Sequence, residues 1–377
     1  MTAQPVAGPA PVAPSRHDSG TAPGPAGISA AMRANALSLA RWLFVVALMV
    51  VAIVAVGGIT RLTESGVSIT EWKPVTGTLP PLTQAQWQAE FDAYRATPQY
   101  QLINGPAGMT LETYKFIFFW EWVHRLIARV IGLVFALPLA WFWIKGRIPQ
   151  GYKPRLLALL ALGALQGTVG WWMVKSGIVN DVKVSHFRLA AHLLVALFTL
   201  GGLVWTALDL VALSKGRPRA RLHGLGLAAL AMLALQLFYG ALVAGMRAGT
   251  SAGAGWFSAD AWPLMQGRFY PAGVDWAQGA GHALLSDPFL VHFIHRWWAW
   301  AVVAVLVIVA RRLRKSHRAA SVVLHSVFGT QVLLGIFTVY SGVALWLGVM
   351  HQLVGALLVA ATVWCAHLLG SGNARPS

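Results

Sequence analysis

Apolar and polar positions fall into long blocks along this chain. They do not form the strict alternation of strands or the single stripe of a soluble amphipathic helix. About 20 mostly apolar residues are needed to cross a bilayer as a helix. Eight stretches meet that length: roughly 42–60, 117–144, 156–175, 188–209, 224–245, 289–310, 320–340 and 346–368. The first, WLFVVALMVVAIVAVGGIT, carries no charge at all. The pattern predicts an all-α membrane protein with eight transmembrane helices.

Charge orients the blocks. Loop 145–155 carries Lys145, Arg147, Lys153 and Arg155, loop 211–223 carries Lys215, Arg217, Arg219 and Arg221, and loop 311–318 carries Arg311, Arg312, Arg314, Lys315 and Arg318. These three lie on one side, which the positive-inside rule makes cytoplasmic, and an even number of spans puts both termini there too. The opposite connections, 61–115, 176–187, 246–288 and 341–345, have mixed charge and more Trp and Pro. The net charge of +17 would suit a nucleic-acid partner, but 57% of residues are hydrophobic and only 11% charged. The basic residues sit between spans, so none is expected. A single cysteine, Cys365, excludes a disulfide or cysteine-cluster framework within one chain.

Residues 1–38 are rich in Pro, Ala, Gly and Ser, and are expected to be a disordered cytoplasmic tail. They contain neither the apolar core of a signal peptide nor the arginine content of a transit peptide. Residues 371–377 read as a second short tail.

The second half echoes the first. WEWVHRLIARVIGLV (120–134) resembles HFIHRWWAWAVVAVL (292–306), LGALQGTVGWWMVKSG (162–177) resembles FGTQVLLGIFTVYSGV (328–343), and LAAHLLVAL (189–197) resembles LGVMHQLVGALL (347–358). The expected organisation is therefore an internal 4+4 repeat: two similar four-helix bundles, 39–215 and 216–370, related by an axis along the membrane normal. Gly57, Gly58, Gly163, Gly167, Gly201, Gly202, Gly240 and Gly245 allow close helix approach and leave room for a homo-oligomer.

Four of the twelve histidines occupy repeat-equivalent places: His124, His192, His295 and His351. Each half thus offers two imidazoles on two helices. A haem held between helices needs one axial nitrogen from each side, whereas zinc or a di-iron centre wants more ligands, carboxylates among them. Haem is the better match, and interhelical hydrogen bonding between paired histidines is the alternative. Arg125 and Arg296 directly follow two of the histidines, and Arg61 and Arg247 close the first and fifth spans. All four could pair with propionates, while snorkelling explains Arg61 and Arg247 equally well. Snorkelling is harder for Arg125 and Arg129, which lie deeper, and Arg129 is open between a structural partner and a part of the pocket.

The halves differ in an acid: Glu121 is the only glutamate inside an expected span. Glu121 precedes His124 by three residues on one helix face, and the aligned position in the second half is His292. An acid in one pocket alone suggests chemistry there and a permanent electron-carrying haem in the other, with Glu121 as base or charge stabiliser. The same acid is spaced i,i+4 from Arg125, which also fits a buried ion pair with no catalytic role.

At these residues the chain resembles the haem A synthases, over most of 40–370. The stretches that carry the resemblance are GGITRLTESGVSITEWKPVTGTLPPL (57–82), YKFIFFWEWVHRLIARVIGLVF (114–135), GWWMVKSGI (170–178), GALVAGMRAG (240–249), WPLMQG (262–267) and FIHRWWAW (293–300). It is similar to the mitochondrial and alphaproteobacterial branch, which lacks the outer-loop cysteine pair of the other branch. The resemblance implies oxidation of the C8 methyl of haem O to a formyl group, making haem A for cytochrome c oxidase. It implies a haem b cofactor on His295 and His351 with Arg296 nearby, substrate haem O on His124 and His192 with Arg125, and Glu121 as the essential acid. It further implies a multi-pass protein of the bacterial inner membrane with its pockets toward the periplasmic face. Partners would be membrane lipid, the haem O synthase that makes the substrate, and cytochrome c oxidase assembly factors. Rival readings from other classes are a two-haem b-type electron-transfer protein and a haem transporter or chaperone.

Overall fold

The computed structural model describes residues 29–179, 184–222 and 224–371. Apart from one isolated bridge, its regular elements among these residues are helices, eight of them long and apolar enough to cross a membrane: α1 (Ala30–Leu62), α3 (Leu111–Ile144), α4 (Lys153–Val179), α5 (His186–Ser214), α6 (Gly224–Met246), α8 (Pro288–Leu313), α9 (Arg318–Tyr340) and α10 (Leu345–Gly370). Two shorter helices, α2 (Gln84–Arg95) and α7 (Ala280–Ser286), lie in the long connections. All eight expected spans are present.

Two boundaries differ from expectation, because caps and not hydropathy set where helices begin. Ser29 accepts the Met32 N–H at 3.2 Å and starts α1 at Ala30, so residues 30–38, assigned above to the disordered tail, are helical. Residues 1–28 and 372–377 of the expected tails lie outside the described residues. A capping box between Thr110 and Thr113 starts α3 at Leu111, ahead of its apolar run. His124 consequently lies more than three turns into its helix, while His192, His295 and His351 lie about two turns in.

Helix α1 packs against α5, α10 and α3, while α6 and α10 close the centre, with α4, α8 and α9 outside them. Burial of apolar surface gives little drive between helices in lipid, so close packing must hold them. Gly226 illustrates it: a Cβ there would lie 3.1 Å from the Ala366 Cβ, tighter than ordinary contact, so glycine helps α6 approach α10 closely. Helices α3 and α4 meet over a shorter stretch than α8 and α9 do. Gly163 and Gly167 of α4 and Gly132 of α3 face open space.

The large apolar core fills one end of the bundle. It runs from Ala36 to Val54 in α1, from Leu197 to Leu210 in α5, from Val302 to Leu313 in α8 and from Ala356 to Cys365 in α10. That end adjoins the basic loops, and the histidines lie at the other. There the long connections fold into caps. Phe91 and Tyr94 of α2 pack on Tyr114, Ile117 and Phe118 of α3, and Met265 packs with Ala252, Ala261 and Val339.

Candidate functional site

His295 in α8 and His351 in α10 face each other, ring centroids 6.5 Å apart and planes at 86°. Two imidazoles sharing one iron, each nitrogen about 2 Å from it, place their centroids roughly 6 Å apart. The pair therefore has the spacing of a bis-histidine haem site. Both line a largely apolar cavity of about 450 Å³, together with Arg61, Arg247, His292 and Arg296.

Arg296 is 7% exposed and donates through Nη1 to the Leu264 carbonyl at 2.7 Å. Its Nε and Nη2 have no hydrogen-bond partner among the described residues. Buried guanidinium donors left unpaired are costly, and they are what an anionic propionate would satisfy. Arg61 instead donates to the carbonyls of Ala244 and Gly245, at 2.7 and 3.0 Å, at the end of α6. Arg247 pairs with Glu64. These two arginines link α1 to α6 and its following turn across the mouth of the cavity.

The other half is arranged differently. Arg125 gives Nε and Nη2 to Glu121 Oε1, at 3.1 and 2.6 Å, and reaches the carbonyls of Glu71 and Ile69. Glu121 Oε2 takes the Ser68 hydroxyl and the Ile69 N–H, both at 2.8 Å. Arg129 donates to the carbonyls of Pro74 and Lys73 at 2.8 Å, and the Trp122 indole reaches the Thr78 carbonyl. The polar groups of FFWEWVHRLIARV, His124 apart, thus bind the main chain of the connection after α1 and draw it along α3. Arg125 has the partners that Arg296 lacks, and Glu121 supplies the difference.

Each of the four histidines abuts a glycine of a neighbouring helix. A Cβ at Gly170, Gly240 or Gly335 would lie 2.9, 2.9 or 3.1 Å from Cε1 of His192, His295 or His351, and one at Gly57 would lie 3.4 Å from His124 Nε2. Three of these glycines follow a glutamine by one turn. The Gln166 amide lies 3.2 Å from His192 Nδ1, the Gln236 amide 3.1 Å from His295 Nδ1, and the Gln331 amide 3.4 Å from His351 Nε2. These glutamines were not anticipated. The signal was a Gln-x-x-x-Gly spacing on α4, α6 and α9, which reads as one helix face.

Four further histidines, among the described residues, are held by hydrogen bonds. His292 Nδ1 meets the Ser251 hydroxyl at 3.2 Å, His186 meets Ser286, and His325 bonds the Ser321 carbonyl. His367 bonds Asp209 at 3.0 Å. Asp209, fully buried near the end of α5, also takes Arg155 and the Ala220 N–H, a second polar centre the sequence reading passed over. Outside the spans, Lys73 sits 2.8 Å from Glu71 and 3.0 Å from Glu90. Those two carboxylates raise its pKa above the ordinary 10.5, Glu71 first.

Residues 40–363 match the family model described as cytochrome oxidase assembly protein, COX15-CtaA. The chain is 85% identical over 343 residues to the haem A synthase of Novosphingobium aromaticivorans, covering 91% of this chain and 98% of that protein. It is 56% identical to the haem A synthase of Erythrobacter litoralis, over 89% of this chain and 98% of that one. The haem A synthase of Sphingopyxis alaskensis is 53% identical, over 89% and 93%. With nearly every span inside the matched region, and with a histidine pair spaced for a haem iron, this chain belongs to the COX15-CtaA family of cytochrome oxidase assembly proteins.

Proposed function

We propose that the chain is a haem A synthase, oxidising the C8 methyl of haem O to a formyl group. What carries the reading is the 85% identity to a haem A synthase across 98% of that protein's length. The histidine pair of α8 and α10 supports it from the structure.

In this reading His295 and His351 hold a haem b, which when bound supplies a one-electron redox centre. Arg296 offers its two unpartnered donors to a propionate. His124 and His192 hold the haem O iron in the N-terminal half. Glu121 and Arg125 fix residues 68–71 beside that pocket, with Arg125 reaching substrate only as part of this assembly. The committed hydrogen bonds of Glu121 favour a fixed negative charge near the reacting haem over a freely moving base.

The architecture proposed for this activity is two parallel four-helix bundles, α1 with α3–α5 and α6 with α8–α10. Both termini would be cytoplasmic and both pockets would face the periplasm across a bacterial inner membrane. The crowding of the apolar core at the basic-loop end supports that placement, since it leaves the opposite end for the pockets. Haem O synthase, as the source of the substrate, is the proposed partner.

The test is pigment analysis. Expressed with a source of haem O, the protein should yield haem A or its hydroxylated precursor on extraction. Haem B with unchanged haem O alone would refute the reading and favour electron transfer or haem carriage.

A further inference from the structure

We propose that Gln166, Gln236 and Gln331 are positioning residues, each setting the protonation and orientation of a metal-ligating imidazole: His192, His295 and His351 respectively. The inference rests on the haem reading above.

Three observations converge. The first is the glycine one turn after each glutamine. With no Cβ at Gly240, the His295 ring lies against the α6 backbone, its Nδ1 3.3 Å from the main-chain carbonyl of Gln236. A carbonyl accepts, so this contact places the proton on Nδ1 and leaves Nε2 bare for a metal.

The second is the side chain of the same glutamine. The Gln166 and Gln236 amide nitrogens each donate to the main-chain carbonyl of their histidine, both at 3.0 Å, which anchors the amide at the foot of the ring. The third is what those amides lack. Oε1 of Gln166, Gln236 and Gln331 is buried and without a hydrogen-bond partner among the described residues in all three cases. One such orphan is an accident, but three at the same place beside three histidines is a pattern. For Gln166 and Gln236, whose amides lie beside Nδ1, half a turn about the last bond exchanges the donation to the histidine carbonyl for an Oε1 facing Nδ1–H. A ligating imidazole needs an acceptor at its second nitrogen, and such partners orient the ring and raise its basicity. Turned so, the unpaired oxygens of Gln166 and Gln236 are that acceptor, and at the third site the Gln331 amide meets His351 at Nε2 while His351 Nδ1 has no partner among the described residues.

His124 is the exception. Helix α1 contains no glutamine. Among the described residues no hydrogen bond reaches the His124 ring, and Gly57 faces its Nε2 and Cδ2 edge. Three rings have a glutamine beside them and the fourth has none. The fourth lies in the half read as the substrate pocket, where a ligand must let go of each product.

The experiment is a redox titration, followed optically, of the haem retained by the purified full-length protein. Gln236→Leu removes the side-chain acceptor, making His295 a weaker donor and favouring ferrous iron. A tenfold change in relative ferric affinity raises the midpoint potential by about 59 mV. Gln236→Glu supplies a stronger acceptor and should lower it. Opposite shifts in the two variants support the proposal, because damage to packing would move both the same way. Unchanged potentials, or shifts of one sign, overturn it while leaving the haem reading intact. If Gln236→Leu retains no haem, the direction of the Gln236→Glu shift decides alone. Wild-type protein that retains no haem overturns the haem reading and this proposal together.

Discussion

Replacing Glu121 with alanine removes the carboxylate that holds Arg125, Ser68 and Ile69 in one network. The side chains of Glu121 and Arg125 are only 4% and 17% exposed, and their closest approach is 2.6 Å. At an effective dielectric of about 20, that contact is worth roughly 6 kcal/mol before desolvation. Losing one partner of a buried pair costs about 3–5 kcal/mol, because the other charge is stranded. Arg125 would keep the carbonyls of Ile69 and Glu71, so a loss near the lower end, about 3 kcal/mol, is expected. Reversible unfolding in mixed detergent micelles, with limited proteolysis of the connection after α1, measures it. The double variant Glu121→Ala/Arg125→Ala should lose less than the sum of the singles, by about 0.5–3 kcal/mol. The haem held by His295 and His351 should keep its spectrum while haem A formation stops. Glu121→Ala protein as stable as its parent, with the connection still protected, would refute the pinning argument. Loss of the retained haem's spectrum would reverse the assignment of the two halves.

Other expectations are as direct. His295→Ala or His351→Ala should abolish the retained haem's absorption bands, whereas His124→Ala should leave them in place. Gly240→Val forces a side chain into the His295 ring and should cost about 10–100-fold in haem affinity, while Gly163→Val, which meets open space, should be silent in the same binding assay. Asp209→Leu strands the His367 and Ala220 donors and should cost about 1–3 kcal/mol in the same unfolding assay. Lys73 has its folded pKa raised, so its contacts with Glu71 and Glu90 are complete below the ordinary 10.5 and weaken as pH rises through the raised value. Protease nicking near Lys73 should be flat across neutral pH and climb only in strong base.

The eight spans were legible because hydropathy over twenty residues is a one-dimensional property that neighbours cannot alter. Helix starts were less so. Ser29 and Thr110 decide where α1 and α3 begin through a few local hydrogen bonds, which hydropathy does not register. The facing of His295 and His351 was readable from the likeness of the two halves. The ion pair of Glu121 was readable as an option, since i,i+4 spacing fixes proximity but not what else competes for a carboxylate. Ser68 and Ile69 are the competitors, and they arrive from fifty residues away, beyond any local pattern. The glutamines were missed for a different reason: an amide on an apolar helix is chemically quiet until the ring opposite it is seen. Asp209 was missed because its partners Arg155, Ala220 and His367 come from three separate segments.

The short meeting of α3 with α4, set against the fuller contact of α8 with α9, bears on how a greasy substrate is found. An opening in the side of a bundle is reached by diffusion within the plane of the bilayer. The quantity that governs encounter there is the mole fraction of substrate among the lipids, and aqueous concentration drops out. Saturation curves for an activity fed through that seam should therefore superimpose when plotted against substrate per lipid. Plotted against substrate per litre, they should spread apart as the lipid content of the assay is varied.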